Sequence, residues 1–183
     1  MKLDAIKAAI QFVEFRFPSC QAALLAGSVV RDEATDTSDL DIVVFDDSIS
    51  SAYRESLFEY GWAIEVFVHN LQSYRDFFES DCKRARPSLP RMVNEGVVLK
   101  DLGIIHAIKS EAKQLLENGP DPWSLETITM KRYMVSDTLD DFVGSLREDE
   151  DLFIANTLAE TIHEFVLEKI VNGLELQNGL YEH

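Results

Sequence analysis

Cysteine and basic charge are both scarce in this chain. Cys20 and Cys82 stand 62 positions apart, with no Cys-x-x-Cys pair and no Cys/His cluster, a pattern that argues against a disulfide framework or a zinc site. Lysine and arginine number 17 against 33 acidic residues, a net charge of −16. That field repels nucleic-acid phosphates and speaks against general DNA or RNA binding, though a small polyphosphate arriving with its own magnesium is not repelled in the same way. No apolar run reaches the roughly 18 residues of a membrane-spanning helix. The opening "MKLDAIKAAIQFVEFRF" has helical spacing with charges throughout, so we expect neither a signal peptide nor a membrane span, and a cytoplasmic protein. What is present is a 46% hydrophobic chain of 183 residues, enough for one cored domain and a small second one.

Residues 5–16 place Ile6, Ala9, Ile10 and Val13 at helical spacing, and Pro18 stops the pattern. "QAALLAG" reads as a short strand ending at Gly27, "DLDIVVF" as a second and "WAIEVFVH", 62–69, as a third, with residues 50–59 read as helical between them. A helix is expected through about Cys82, then a short strand at "GVVLKD" and a helix closed by Gly119. "GPDP" punctuates the chain at 119–122, and beyond it the patterns at 123–146 and 150–177 are helical only. Charge divides there as well: residues 119–183 hold 4 basic and 14 acidic residues.

The chemistry concentrates in "LAGSVVRDEATDTSDLDIVVF", residues 25–45. Asp39 and Asp41, two positions apart on a strand, point to one side and bring their carboxylates close enough to share a cation. Oxygen ligands suit a hard ion, and magnesium is the usual occupant where phosphates complete the shell. Glu65 interrupts the apolar strand "AIEVFV" on the face opposite Ile64, Val66 and Val68, where an ionised side chain calls for a cation or a donor. Its alternative role is a salt bridge to an arginine. Three carboxylates on adjacent strands can hold two ions, an arrangement that clamps the attacking and leaving oxygens of a phosphoryl or nucleotidyl transfer. At the Gly27–Ser28 corner a glycine admits close backbone approach, and the serine N–H and hydroxyl, opening a helical turn, can donate to phosphate oxygens.

"LLAGSVVRDEATDTSDLDIVVF" followed by "IEVFVH" resembles the nucleotidyltransferase superfamily of the DNA polymerase β type, in particular its bacterial branch of aminoglycoside and kanamycin nucleotidyltransferases and minimal nucleotidyltransferases. Gly27, Ser28, Asp39 and Asp41 match that signature position by position, Glu65 matches by strand context, and Arg31 matches the arginine common after Gly-Ser in the minimal branch. Asp32 stands where a glycine is often found. The resemblance implies an α+β nucleotidyltransferase fold, a mixed sheet flanked by helices over 1–118, followed by a small helical bundle over 119–183. It implies catalytic and metal-binding roles for Asp39, Asp41 and Glu65, nucleotide contacts from Gly27, Ser28 and Arg31, and two Mg2+ ions. ATP or another nucleoside triphosphate would give its monophosphate to an acceptor hydroxyl, on an antibiotic or a protein, with release of pyrophosphate. A homodimer is expected. The rival reading is a non-catalytic, antitoxin-like module that keeps the fold and acts on a protein partner.

Three features stay open at the level of sequence. The basic cluster Lys83, Arg84, Arg86 and Arg91 reads either as a triphosphate-binding edge or as a solvated loop. His69 ends the third strand and reads either as a residue that approaches the nucleotide or, the favoured reading, as a capping or surface residue. No motif selects a general base among Asp137, Asp140, Asp141, Glu160 and Glu164.

Overall fold

Hydrophobic alternation along three strands dictates a sheet with two covered faces. The computed structural model describes residues 3–83, 86–119 and 122–172. Its elements run α1 (Ala5–Arg16), β1 (Ala22–Ala26), β2 (Leu40–Phe45), β3 (Tyr53–Glu59), β4 (Trp62–His69), α2 (Ser73–Lys83), α3 (Ser88–Glu95), β5 (Val97–Asp101), α4 (Ile105–Asn118), α5 (Leu125–Gly144) and α6 (Glu148–Asn172). The five strands lie in the order β3-β4-β2-β1-β5, with β2 and β4 parallel and the other neighbours antiparallel. This is the mixed-sheet α+β architecture expected from the sequence.

Even-numbered residues of β2 and β4 face one layer: Leu40, Ile42, Val44, Ile64, Val66 and Val68 are buried against Ala8, Ala9, Phe12 and Val13 of α1. Burying an aliphatic or aromatic side chain of this size stabilises the fold by about 1.5–3 kcal/mol. The other face carries Leu24, Val43 and Phe45 under Tyr74 and Phe78 of α2, Leu89 and Val93 of α3, and Ile105 and Ile108 of α4. Helix starts are fixed by side chains. Asp4 accepts the Lys7 N–H at 3.2 Å, and Asp101 accepts the N–H groups of Gly103, Ile104 and Ile105 where β5 turns into α4.

Two expectations are corrected. Residues 50–59 are not helical: Tyr53–Glu59 is the edge strand β3, paired with β4 along its whole length. An edge strand has one neighbour and is wetted on both faces, so its apolar alternation is blurred and a helical reading competes. The overlooked signal is the two-residue turn Tyr60-Gly61, with φ of 55° and 83°, the left-handed pair that closes a tight hairpin. The proline-rich basic stretch is likewise no simple loop, because residues 88–95 form α3. Pro87 precedes that helix and Pro90 lies in its first turn, where a missing N–H costs no intrahelical bond. Arg84 of the basic cluster lies outside the described residues, as does the end of the 150–177 pattern beyond Asn172.

Contacts divide the chain into two compact units, Met1–Gly119 and Pro120–His183. In the second, Ser124 caps α5 by accepting the Thr127 N–H, Trp123 meets Phe165 edge-to-face at 5.8 Å, and Lys131 pairs with Glu164 at 2.5 Å.

The hairpin makes a direct test. Gly61→Ala puts a Cβ into the left-handed region and should destabilise the protein by about 1 kcal/mol, read as a lower urea midpoint at unchanged slope.

Candidate functional site

The parallel ladder between β2 and β4 sets Asp41 directly opposite Glu65. Asp39 precedes Asp41 by two positions and falls on the same face. One oxygen from each of the three carboxylates lies within 4.8 Å of the others, and all three residues are half-buried. Burial first, then the negative charges of Asp39 and Glu65, push the Asp41 pKa up to about 6, with Arg31 and Arg54 pulling the other way. Three oxygen donors with no nitrogen or sulfur among them form a set for a hard divalent cation. The residues present therefore fit the magnesium that the resemblance implies, and Asp39, Asp41 and Glu65 are the side chains that would hold it.

The reason for glycine at position 27 is geometric. Gly27 ends β1 with φ of 79°, and a Cβ built there would lie 2.0 Å from Asp41 Oδ2. The Asp41 carboxylate occupies the space a side chain would need. Beyond it, residues 28–32 form turns rather than the opening of an α-helix, closed by Val30 N–H to Gly27 O at 3.2 Å and Glu33 N–H to Ser28 O at 3.0 Å. The corner thus presents backbone N–H groups without a helix dipole behind them, a correction to the helical turn expected there. Asp32 adopts φ of 57°, the left-handed conformation a glycine would take, and aspartate is among the few other residues that tolerate it. Ser28 Oγ donates to Ser38 Oγ at 3.2 Å, and Ser38 Oγ in turn accepts the Thr35 N–H at 2.8 Å. These bonds tie the long connection back to the residue just before Asp39.

Arg31 flanks Asp41 but is already engaged, its Nε donating to Glu33 at 2.8 Å and its Nη1 to Glu95 at 2.6 Å. Glu65 pairs with Arg54 of β3, whose Nε donates to Oε1 at 2.6 Å, and Ser56 Oγ donates to the same oxygen at 3.2 Å. The salt bridge weighed for Glu65 is present, and because both donors converge on Oε1 it leaves the second carboxylate oxygen to offer. Arg54 and Ser56 lie in the segment whose pattern predicts a helix, so the sequence gives no sign of them beside Glu65. His69 is neither cap nor surface residue: it is buried, with its Nδ1 lacking a hydrogen-bond partner. Within the basic cluster, Lys83 pairs with Glu79 at the exposed end of α2, and Arg91 is exposed on α3.

Two outcomes follow from this geometry. Without metal, Asp41→Asn removes a carboxylate repelled by two others and should raise the melting temperature at pH 7, by about 1 kcal/mol of stability after allowance for solvent screening. The wild type should gain thermal stability from Mg2+ or Mn2+, and more with a nucleoside triphosphate; calorimetry on Asp39→Asn/Asp41→Asn should show that gain gone. At the corner, Ser28→Ala should weaken triphosphate binding modestly, by about 1–2 kcal/mol. Gly27→Val should abolish it, because its side chain evicts the Asp41 carboxylate; equal, small effects in a binding titration would mean the corner only terminates a strand.

Comparison with known proteins bears on this constellation. No curated protein matches the chain. Among solved structures, a nucleotidyltransferase-like protein from Exiguobacterium sibiricum is similar, at 15% identity and a TM-score of 0.46, covering 90% of this chain and 55% of that one. The chain thus spans about half the length of that protein. The family model described as "Nucleotidyltransferase domain" matches residues 6–97, just over half of the chain, from α1 through the acidic cluster to the start of β5. By that match, the chain belongs to the nucleotidyltransferase domain family.

Proposed function

We propose that this chain is a magnesium-dependent nucleotidyltransferase of the adenylyltransferase type. It moves a nucleoside monophosphate from ATP or another nucleoside triphosphate to an acceptor hydroxyl. The observation that carries the reading is the convergence of Asp39, Asp41 and Glu65 within 4.8 Å of one another, beside a Gly27–Ser28 corner whose glycine is required by the Asp41 carboxylate. The acceptor oxygen attacks the α-phosphorus, a new P–O bond forms, the bond to the leaving pyrophosphate breaks, and the hydroxyl proton passes to a base. Bound magnesium, two ions in this reading, supplies Lewis-acid stabilisation of the attacking and leaving oxygens.

The chain's own residues bind and orient. Asp39, immediately before β2, and Asp41 within it are the metal-holding pair, and Glu65 on β4 is the third carboxylate. Gly27 and Ser28 receive the triphosphate through backbone N–H groups and a hydroxyl, and Arg31 supplies positive charge on the same flank. Residues 1–118 form the catalytic domain in this assignment and residues 119–183 a helical bundle. Membership of the aminoglycoside-type or minimal branch, a cytoplasmic place of work and a homodimer belong to the same proposal. Among the described residues no helix is long and apolar enough to cross a membrane.

A second reading is favoured by one specific observation. Arg31 is clasped by Glu33 and Glu95, and Glu65 by Arg54, as they would be in a fold retained for partner binding alone. Incubation with α-labelled ATP, magnesium and a panel of hydroxyl acceptors separates the two: an enzyme yields a labelled product and pyrophosphate, and a binding module yields neither.

Glu65→Gln sharpens the test. Arg54 is 61% exposed, so loss of its ion pair should change stability by no more than about 1 kcal/mol. Transfer should nonetheless fall on the order of a hundredfold or more, since a lost ligand removes transition-state stabilisation. A folded Glu65→Gln protein with near-normal turnover would rule Glu65 out of the catalytic set.

A further inference from the structure

We propose that a groove beside the acidic cluster is the acceptor pocket, and that it takes an uncharged aromatic ring carrying a hydroxyl group; the acceptor role rests on the nucleotidyl-transfer reading. The groove encloses about 290 Å3, room for one ring system at the small end of ligand sites. Its floor is the sheet: Arg54 of β3, and Phe67 and His69 of β4. Its walls are Phe77 of α2 and Leu89 and Met92 of α3.

Position comes from strand order. In β3-β4-β2-β1-β5, the Gly27–Ser28 corner lies on the β1 side of Asp41, and Glu65 lies on the β4 side. The two flanks of the cluster are therefore different surfaces, one of backbone N–H groups and one of side chains. Phe67 and His69 follow Glu65 at two and four positions, so they share its face, and the first step is roughly 6.5 Å. Arg54 bridges the two regions: it binds Glu65 and lies 5.1 Å from the centre of the Phe67 ring. A ring in the groove lies against Arg54, the residue that holds Glu65.

The walls define the chemistry. Phe67 and Phe77 provide ring faces, and Phe77 remains 47% exposed on α2, an apolar surface at the mouth. His69 is 4% exposed and packs edge-to-face on Phe77 with ring centres 4.9 Å apart. Its Nδ1 is buried out of solvent contact and has no hydrogen-bond partner. Burial lowers its pKa to about 4 against the opposing pull of Asp81, so at neutral pH the groove offers an uncharged imidazole. Arg54 has its charge offset by Glu65, and Asp81 accepts the Leu89 N–H at 2.9 Å. Such walls match an uncharged ring with polar edges better than a polycation or a polyanion.

Two sources of that chemistry, a nucleoside and a tyrosine side chain, are separated by experiment. The full chain is saturated with magnesium and α,β-methylene ATP, so that the donor site is filled. Adenosine, N-acetyltyrosinamide and kanamycin are then titrated in by saturation-transfer NMR. One or both ring probes should bind, and Phe77→Ala, a change at a half-exposed position that the fold tolerates, should weaken them tenfold or more. The affinity of the ATP analogue should stay within twofold. Absence of binding by both ring probes, insensitivity to Phe77→Ala, or kanamycin binding that Phe77→Ala weakens equally would overturn the pocket. Failure of the analogue itself to bind the wild type removes the transfer reading and the acceptor role with it. Phe77-dependent ring binding would then stand as a ring site alone.

Discussion

Everything at the centre of this protein depends on holding like charges together against their repulsion. The backbone register does the holding. In the parallel pairing of β2 with β4, Asp41 and Glu65 are directly opposite, and both strands are anchored by buried residues on either side: Ile42, Val43 and Val44 in one, Ile64 and Val66 in the other. A slip of one residue in either strand would separate the carboxylates, but it would also turn Asp41 or Glu65 into the apolar layer under α1. Core packing therefore enforces a cluster that the charges alone would disperse, and burial first, then the neighbouring carboxylates, raise the Asp41 pKa. Glu95 and Glu33 around Arg31, and Arg54 beside Glu65, complete an alternating pattern of charge around the cluster.

The same constraint explains what could be read from the sequence. The Asp-x-Asp pair, the corner at Gly27–Ser28 and the polar residue in an otherwise apolar strand each leave a local mark, because each is a departure from hydrophobic alternation. The even-numbered core of β2 and β4 was legible for the same reason. Strand β3 was not. Its residues are wetted on both faces, so Arg54 and Ser56, which bind Glu65, sat in a segment with no clear period. Helix α3 was hidden by Pro87 and Pro90, residues that usually break a helix but are harmless at its start. The requirement for Gly27 was readable as a turn, but its cause, the Asp41 carboxylate in the place of a Cβ, exists only once β1 and β2 pair.

His69 shows a different kind of gap. A histidine at a strand end gives no sequence sign of whether it faces solvent or a wall of aromatic rings. Burial here follows from α2 lying across the sheet, with Phe77 against the imidazole. Tertiary packing converts an ordinary polar residue into one whose Nδ1 is buried without a hydrogen-bond partner.

The edge position of β3 has a consequence for how the molecule comes apart. This strand pairs with β4 alone, and its side chains are exposed or half-exposed along its length. Peripheral segments of this kind open at free energies below that of global unfolding. Detachment of β3 would carry Arg54 and Ser56 away from Glu65 while leaving the β2·β4 register, and with it all three carboxylates, in place. The counter-charge of the cluster thus belongs to a less stable layer than the cluster itself. Fraying of that single hairpin would strip Glu65 of its counter-charge while leaving its place opposite Asp41 unchanged.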